Sequence, residues 1–176
     1  IGKGGQGTMY LARDMELGTF WAIKQLPLSM KKEAELLRRL NHSSLPRMTD
    51  YTEQDDKCYL VMEYIKGKSL NEYLKTNNLL SFEEILTITR TILQIFQYLH
   101  SQKPPIYYGD LKPENLMRTE TGKIYLVDFG SALYSYGTVR KNIKGTKGYA
   151  APEQYQGMLT AASDFYALGK TIQQLC

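Results

Sequence analysis

The pattern of apolar and polar positions divides the chain into a strand-rich first part and a helix-rich second part. Residues 8–13 and 19–24 alternate as half-buried strands do, and residues 58–64 form a further strand. Residues 31–40 carry apolar side chains at the three- and four-residue spacing of a helix. This pattern predicts a small sheet with one helix in residues 1–65.

The pattern after residue 65 is mainly helical. Ser69 and Ser81 are each followed three residues later by a glutamate, which predicts two N-terminal capping boxes. The helix after Ser81 is long, and its apolar stripe consists of Ile85, Ile88, Ile92, Ile95, Phe96 and Leu99. A last helix is predicted from Asp164 to Leu175, with Phe165, Leu168, Ile172 and Leu175 on its apolar side. Short strands are predicted at 106–108 and 123–127.

The predicted fold class is therefore α+β. A small lobe with an antiparallel sheet would cover residues 1–65, and a mainly helical lobe would cover residues 66–176.

One acidic residue lies on the apolar face of the first helix. Glu33 precedes Leu36 and Leu37 by three and four residues, so it shares their face, whereas Glu35 lies with the arginines at 38–39. A buried carboxylate without a partner is costly. Glu33 is therefore expected to pair with a cation; the plain alternative is that Glu33 is solvated and Glu35 makes the pair.

Composition excludes several classes of function. The 176 residues are 43% hydrophobic and 23% charged, and a net charge of +4 is too small to predict a nucleic acid or anionic membrane partner. Cys58 and Cys176 are too few and too far apart for a disulfide framework or a metal site. No apolar run is long enough to cross a bilayer, and there is no signal-peptide pattern. We expect no membrane contact from this segment.

The first residues carry glycines at Gly2, Gly4 and Gly7. A dinucleotide fingerprint needs a strand before its glycines and a helix after them, but a strand is predicted after Gly7. A Walker loop needs a lysine before the Ser/Thr, and here Gly7 directly precedes Thr8. Two alternatives stay open: a glycine hairpin whose backbone N–H groups approach phosphates, or a flexible surface turn.

Four downstream motifs occur in a fixed order: AIK ending at Lys24, DLKPEN at 110–115, DFG at 128–130 and APE at 151–153. Together with the glycine loop, they resemble the eukaryotic-like (Hanks-type) serine/threonine protein kinases, and the resemblance covers the whole chain. The segments at 145–154 and 163–169 are most similar to bacterial members. The resemblance implies a bilobal protein-kinase fold.

The resemblance also implies a reaction and its residues. The reaction would be phosphoryl transfer from ATP to Ser/Thr hydroxyls of protein substrates, with Mg²⁺ or alternatively Mn²⁺, and with autophosphorylation as a further reaction. Asp110 would orient and deprotonate the acceptor, Lys112 would contact the γ-phosphate, and Thr146 would hydrogen-bond to both. Lys24, paired with Glu33, would bind the α- and β-phosphates.

The remaining implied residues bind metal or nucleotide. Asn115 and Asp128 offer the hard oxygen ligands that Mg²⁺ prefers. The implied nucleotide-binding set is Gly2, Gly4, Gly7, Met9, Ala22, Lys24, Met62, Glu63, Ile65 and Met117. For the methionines, ordinary core packing is an alternative description. His42 and His100 are expected to be structural.

The chain departs from the family pattern before the catalytic aspartate. Where the family commonly has His-Arg-Asp, this chain has Tyr108-Gly109-Asp110. The family arginine often binds a phosphate on the activation loop. We therefore hypothesise that activity does not depend strongly on phosphorylation between Ser131 and Tyr149.

The resemblance also implies that the helical lobe stops at its central helix, so that this stretch is a partial domain and would by itself be inactive. The expected location of the catalytic domain is cytoplasmic, with any membrane tether in regions outside this sequence.

Two other classes stay open. A non-catalytic pseudokinase or ATP-binding scaffold usually lacks one of the residues corresponding to Lys24, Asp110 and Asp128, and all three are present. A small-molecule kinase of related fold is disfavoured by residues 145–153, which position a peptide in the family.

Overall fold

The computed structural model describes residues 2–4, 7–76, 79–135 and 145–176. The chain divides into two compact units, residues 1–66 and 67–176. The first unit is built on an antiparallel sheet and the second contains most of the helix, which confirms the predicted α+β class.

The first unit is a five-stranded antiparallel sheet with the strand order β1-β2-β3-β5-β4. Its strands are β1 (Gly2–Gly4), β2 (Gly7–Arg13), β3 (Phe20–Pro27), β4 (Met48–Gln54) and β5 (Lys57–Glu63). A short 3₁₀ turn, Leu28–Met30, leads into helix α1 (Lys32–Leu37). Three of these strands, β2, β3 and β5, lie close to the bounds that alternation predicts.

Helix α1 is shorter than the predicted span of residues 31–40. Arg39 and Leu40 donate their amides to the carbonyls of Leu36 and Leu37, so the last turn tightens to 3₁₀ bonding. Leu40 is still only 7% exposed. The apolar spacing therefore marks the buried face correctly, although the α-helical bonds stop earlier.

Strand β4 has no counterpart in the sequence-based prediction. It lies at the edge of the sheet, and five of its seven residues are exposed. An edge strand with polar side chains on both faces lacks the alternation by which strands are recognised. Its connection to β5 is a two-residue turn in which Asp55 and Asp56 have φ values of 51° and 56°, as tight hairpins require.

The second unit contains helices α2 (Leu70–Lys75), α3 (Phe82–His100) and α4 (Ala161–Leu175). Its short strands are β6 (Gly67–Ser69), β7 (Ile106–Tyr107), β8 (Leu116–Thr119), β9 (Ile124–Leu126) and β10 (Leu133–Tyr134). They form a three-stranded sheet, β6-β8-β9, and a two-stranded sheet, β10-β7. Two 3₁₀ turns, Pro113–Asn115 and Pro152–Gln156, overlap the DLKPEN and APE motifs.

Both predicted capping boxes are confirmed. At the start of α3, the Glu84 amide donates to Ser81 Oγ at 3.2 Å, and the Ser81 amide donates to Glu84 Oε2 at 2.8 Å. The bond from the Ser81 amide is the main reason why the pKa of Glu84 is lowered. All six residues of the predicted α3 stripe are buried.

The predicted apolar side of α4 was confirmed at Leu168 and Leu175 and wrong at Phe165, while Ile172 is half-buried. The helix begins at Ala161, three residues before the predicted start, and Phe165 is 48% exposed. The buried face holds Ser163, Asp164, Ala167, Leu168, Thr171 and Leu175. Asp164 and Ser163 are buried on this face because the amides of Tyr108 and Gly109 and the side chain of Glu153 bond to them, which an apolar pattern cannot reveal. No helix among the described residues is long and apolar enough to cross a membrane.

Candidate active site

One face of the first unit's sheet collects the residues predicted to contact a nucleotide. Ala22 and Lys24 are two residues apart on β3 and therefore point to the same face. Met9 pairs with Lys24 across β2, and Met62 pairs with Ala22 across β5, so both share that face. Ala22 and Met62 are 8% and 6% exposed. Strand register thus brings a cation and apolar side chains together.

Lys24 forms the ion pair that the helix phase predicts. Its Nζ lies 2.6 Å from Glu33 Oε1, and the two residues are 7% and 4% exposed. Glu35 is exposed, so the alternative pairing through Glu35 is wrong. A buried pair of this kind holds the ammonium group of Lys24 at a fixed point of the sheet.

The glycine motif lies in a hairpin. Strands β1 and β2 are antiparallel, with Gly2 opposite Met9 and Gly4 opposite Gly7. At Gly7 the backbone runs so close to β3 that a Cβ would overlap the Gln25 carbonyl oxygen and lie 2.7 Å from Leu26 Cδ2. Packing alone therefore requires glycine at this position.

The last residue of β5, Glu63, has one of its two backbone hydrogen-bonding groups already occupied. The Glu63 amide donates to the Arg47 carbonyl at 2.9 Å, so any contact of the Glu63 backbone with a purine is left to its carbonyl. Ile65 is 8% exposed. In the second unit, Met117 lies on β8 between Ser69 of β6 and Tyr125 of β9.

The catalytic-loop residues form one hydrogen-bond network in the second unit. Lys112 Nζ lies 2.8 Å from Asp110 Oδ2 and 2.7 Å from Thr146 Oγ1. Thr146 donates its hydroxyl and its amide to Asp110 Oδ1, at 2.7 and 3.1 Å. Asp110 and Lys112 are only partly buried, so the carboxylate keeps access to solvent. The network fixes an oriented carboxylate beside an ammonium group.

Asn115 and Asp128 come next to each other through the backbone, because the amide of Val127 donates to the Asn115 carbonyl at 2.9 Å. The side-chain nitrogen of Asn115, Nδ2, donates to the backbone carbonyl of Asp110 at 2.9 Å, so the side-chain oxygen of Asn115 is the atom that could bind a metal. Asp128 has a left-handed φ of 62° and an exposed side chain. Described residues include no cluster of three or more His, Cys, Asp or Glu suited to a metal. Two oxygen ligands still fit Mg²⁺, which takes its other ligands from phosphates and water.

Asp164 is a site residue that the sequence analysis did not single out. It is fully buried, and its carboxylate accepts the amides of Tyr108 at 3.0 Å and Gly109 at 2.8 Å. His100 Nε2 lies 2.8 Å from the same carboxylate, which gives this histidine the structural role expected of it. The argument used for Glu33, an acidic residue on a buried helix face, could have found Asp164. It fixes the backbone directly before Asp110.

Tyr108 occupies the position where the family commonly has histidine. It is fully buried, and its hydroxyl donates to the Val127 carbonyl at 2.6 Å. Burial, with the carboxylates of Asp128 and Asp110 adding to it, raises the pKa of Tyr108 well above its usual value. The hydroxyl therefore stays protonated and ties the catalytic loop to the strand before Asp128.

Gln154 is a second residue that sequence reasoning missed. Its Nε2 donates to the Gly109 carbonyl at 2.9 Å, and its Oε1 accepts the Ala151 amide at 2.9 Å. No local sequence signal identifies such a residue, because its partners are backbone groups. Residues 136–144, within the segment of the phosphorylation hypothesis, lie outside the described residues.

Comparison with known proteins identifies the family. The family described as "Protein kinase domain" matches residues 1–176. Serine/threonine-protein kinase B of Synechocystis sp. is 36% identical over 199 residues, covering 97% of this chain and 34% of that protein. Serine/threonine-protein kinase PrkC of Bacillus subtilis is 35% identical over 189 residues, covering 99% of this chain and 29% of that protein. A WNK kinase of Caenorhabditis elegans is 30% identical over 191 residues, covering 99% of this chain and 10% of that protein.

The chain therefore belongs to the protein kinase domain family, which confirms the resemblance found in its motifs. The similarity to bacterial members is confirmed as well. The chain spans about a third of the length of these two bacterial relatives.

Proposed function

We propose that this chain carries the catalytic machinery of a serine/threonine protein kinase that uses ATP and Mg²⁺. The observation that carries the proposal is the network of Asp110, Lys112 and Thr146, in which every heavy-atom distance between the side chains is 2.7 or 2.8 Å. The printed names of the bacterial relatives, serine/threonine-protein kinases, support the acceptor class.

Asp110 is proposed to orient the acceptor hydroxyl and to accept its proton. Phosphoryl transfer needs little covalent help from a protein and depends on positioning and on neutralising phosphate charge. Lys112, next to the carboxylate, would neutralise charge on the transferred phosphoryl group. Thr146 fixes the rotamer of Asp110, so the carboxylate is oriented before the acceptor arrives.

The proposed contacts with the nucleotide and its metal come from both residues 1–65 and residues 66–176. Within residues 1–65, Lys24, held by Glu33, would bind the α- and β-phosphates, and the apolar face around Ala22 would contact adenine. Within residues 66–176, Asn115 and Asp128 would hold Mg²⁺, which supplies charge neutralisation at the phosphates. The proposed acceptors are Ser/Thr hydroxyls of proteins, including those of this protein itself.

The test is transfer of labelled γ-phosphate from ATP, with Mg²⁺ or Mn²⁺, to a generic protein substrate by the complete protein that carries this chain. Acid hydrolysis of the product then distinguishes phosphoserine and phosphothreonine from phosphotyrosine. Asp110→Asn is expected to lower kcat about 10²- to 10⁴-fold, the usual contribution of a general base. Asp55→Asn, the same change at an exposed turn, is the matched control and should leave kcat unchanged.

Two outcomes would contradict the proposal. Equal kcat for Asp110→Asn and wild type would remove Asp110 as the base. No transfer by wild type, with Mg-ATP still raising the melting temperature, would favour the scaffold alternative, because ligand binding alone stabilises the folded state.

A further inference from the structure

The buried amide of Gln154 joins two segments of the candidate active site. Gln154 is 3% exposed and lies in the 3₁₀ turn Pro152–Gln156. Its Nε2 donates to the Gly109 carbonyl and its Oε1 accepts the Ala151 amide, each at 2.9 Å. Since a carboxamide has a donor at one end and an acceptor at the other, glutamine matches both backbone groups at once.

The residue that Gln154 holds directly precedes the catalytic aspartate. The peptide groups of Gly109 are fixed on both sides, because its amide donates to Asp164 Oδ1 at 2.8 Å and its carbonyl accepts from Gln154. The carbonyl of Gly109 belongs to the peptide bond that continues into Asp110. A shift of that peptide therefore moves the Asp110 carboxylate relative to Thr146.

The conformation of Gly109 disfavours any larger residue at this position. Its φ is +78°, in the left-handed region that favours glycine. A Cβ there would lie 2.9 Å from Leu159 Cδ2 and 3.3 Å from the Ser131 carbonyl oxygen. A side chain at residue 109 would therefore be strained and would require Leu159 to move, whereas Gln154 contacts only the backbone of Gly109.

The side-chain amide of Gln154 also lies close to the backbone just before Thr146. A Cβ at Gly145, the residue before Thr146, would come 3.0 Å from Gln154 Nε2. Gln154 therefore packs beside the backbone that presents Thr146 to Asp110.

We propose that Gln154 is a positioning residue that couples residues 145–154 to the catalytic loop through the Gly109 carbonyl. The inference rests on the proposed kinase function. It predicts that removing either hydrogen bond of the Gln154 side chain displaces the Asp110 carboxylate without removing a group that touches the substrate.

The primary test is Gln154→Glu in the complete protein, with kcat and KM measured for ATP and for a protein acceptor between pH 5.5 and 8. An ionised glutamate has no donor for the Gly109 carbonyl, whereas a protonated glutamate restores both hydrogen bonds. The carboxylates around this contact are Asp110 and Asp164 beside Gly109, and Glu153 in the same turn; Lys112 lies 2.8 Å from Asp110 and His100 lies 2.8 Å from Asp164. Burial is the main cause that raises the pKa of the new carboxyl group.

We expect Gln154→Glu to lower kcat by about 10- to 100-fold at pH 8, the order of loss produced by a small misplacement of a catalytic group. The ratio of variant to wild-type kcat should recover as the pH falls, while KM for ATP stays unchanged. Gln154→Leu should lose activity at every pH. Gln156→Glu, an exposed glutamine in the same turn, is the matched control and should behave as wild type.

Other results would overturn the inference. Wild-type kcat for Gln154→Glu at pH 8, or a loss that does not change with pH, would show that the Gly109 contact does not position Asp110.

Amide hydrogen exchange separates this inference from the proposed function. Gln154→Leu is expected to speed exchange at the amides of Gly109 and Ala151 at least 10-fold, whether or not the wild type transfers phosphate. Absence of transfer by the wild type would count against the kinase proposal alone. Unchanged exchange at both amides would count against the role of Gln154 alone.

Discussion

Replacing Asp164 with asparagine tests how the catalytic loop is held. The carboxylate is fully buried and accepts from three donors, at 2.8 Å from Gly109 N, 3.0 Å from Tyr108 N and 2.8 Å from His100 Nε2. Asparagine keeps one acceptor oxygen and replaces the other with an NH₂ group. If the oxygen stays with Gly109, the NH₂ group replaces Oδ2 and faces the Tyr108 amide, donor against donor, and also His100 Nε2, which can accept from it in its other tautomer.

The expected cost follows from these contacts. One buried backbone donor loses its acceptor, which costs about 1–3 kcal/mol. The remaining bond to Gly109 loses its charge assistance, which removes roughly 1 kcal/mol more. The free energy of unfolding of the kinase domain should therefore fall by about 2–4 kcal/mol in Asp164→Asn.

The assay is urea unfolding of the complete protein, followed by far-UV circular dichroism and by hydrogen exchange at the amides of Tyr108 and Gly109. Asp55→Asn, at the exposed turn between β4 and β5, controls for the chemical change and should stay within about 0.5 kcal/mol of wild type. A loss below about 1 kcal/mol with unchanged exchange at both amides would refute the claim that this carboxylate fixes the loop.

Two further substitutions test local features of the second unit. Gly109→Ala should lower the free energy of unfolding by about 1–3 kcal/mol, because residue 109 has a left-handed backbone and lies against Leu159. The control is Gly122→Ala, which has a similar φ of +81° but only one side-chain atom nearby, at 3.9 Å, so equal losses in the two variants would exclude crowding by Leu159. Ser81→Ala should lower stability by about 1 kcal/mol because it removes the capping box of α3, whereas Ser101→Ala, at the exposed C-terminal end of the same helix, should lower it by less than about 0.5 kcal/mol. Thermal unfolding that ranks the two variants in the opposite order would contradict the capping argument.

Sequence reasoning succeeded where the responsible interactions are local or follow a simple period. The capping boxes join residues three apart, and the α3 stripe repeats with the period of a helix. The partner of Glu33 was predictable because an acidic residue on an apolar face needs a cation, and Lys24 was the lysine marked by its motif.

The parts that sequence reasoning missed depend on backbone groups far away in the chain. Asp164 lies 55 residues from the Gly109 amide it accepts, and Gln154 lies 45 residues from the Gly109 carbonyl. A backbone amide or carbonyl exists at almost every position, so no residue type identifies these partners beforehand. The burial of Asp164 on α4 was missed for this reason.

The left-handed backbone at Asp128 sets stability against chemistry at a single position. Its φ of 62° costs a non-glycine residue roughly 1 kcal/mol. Replacing Asp128 with glycine would remove this cost, but it would also remove the carboxylate proposed to hold Mg²⁺. Selection of this domain for thermal stability alone would therefore favour glycine at residue 128, and with it the loss of the proposed metal ligand. A screen that rewards thermal tolerance must score turnover in the same step if the engineered protein is to remain an enzyme.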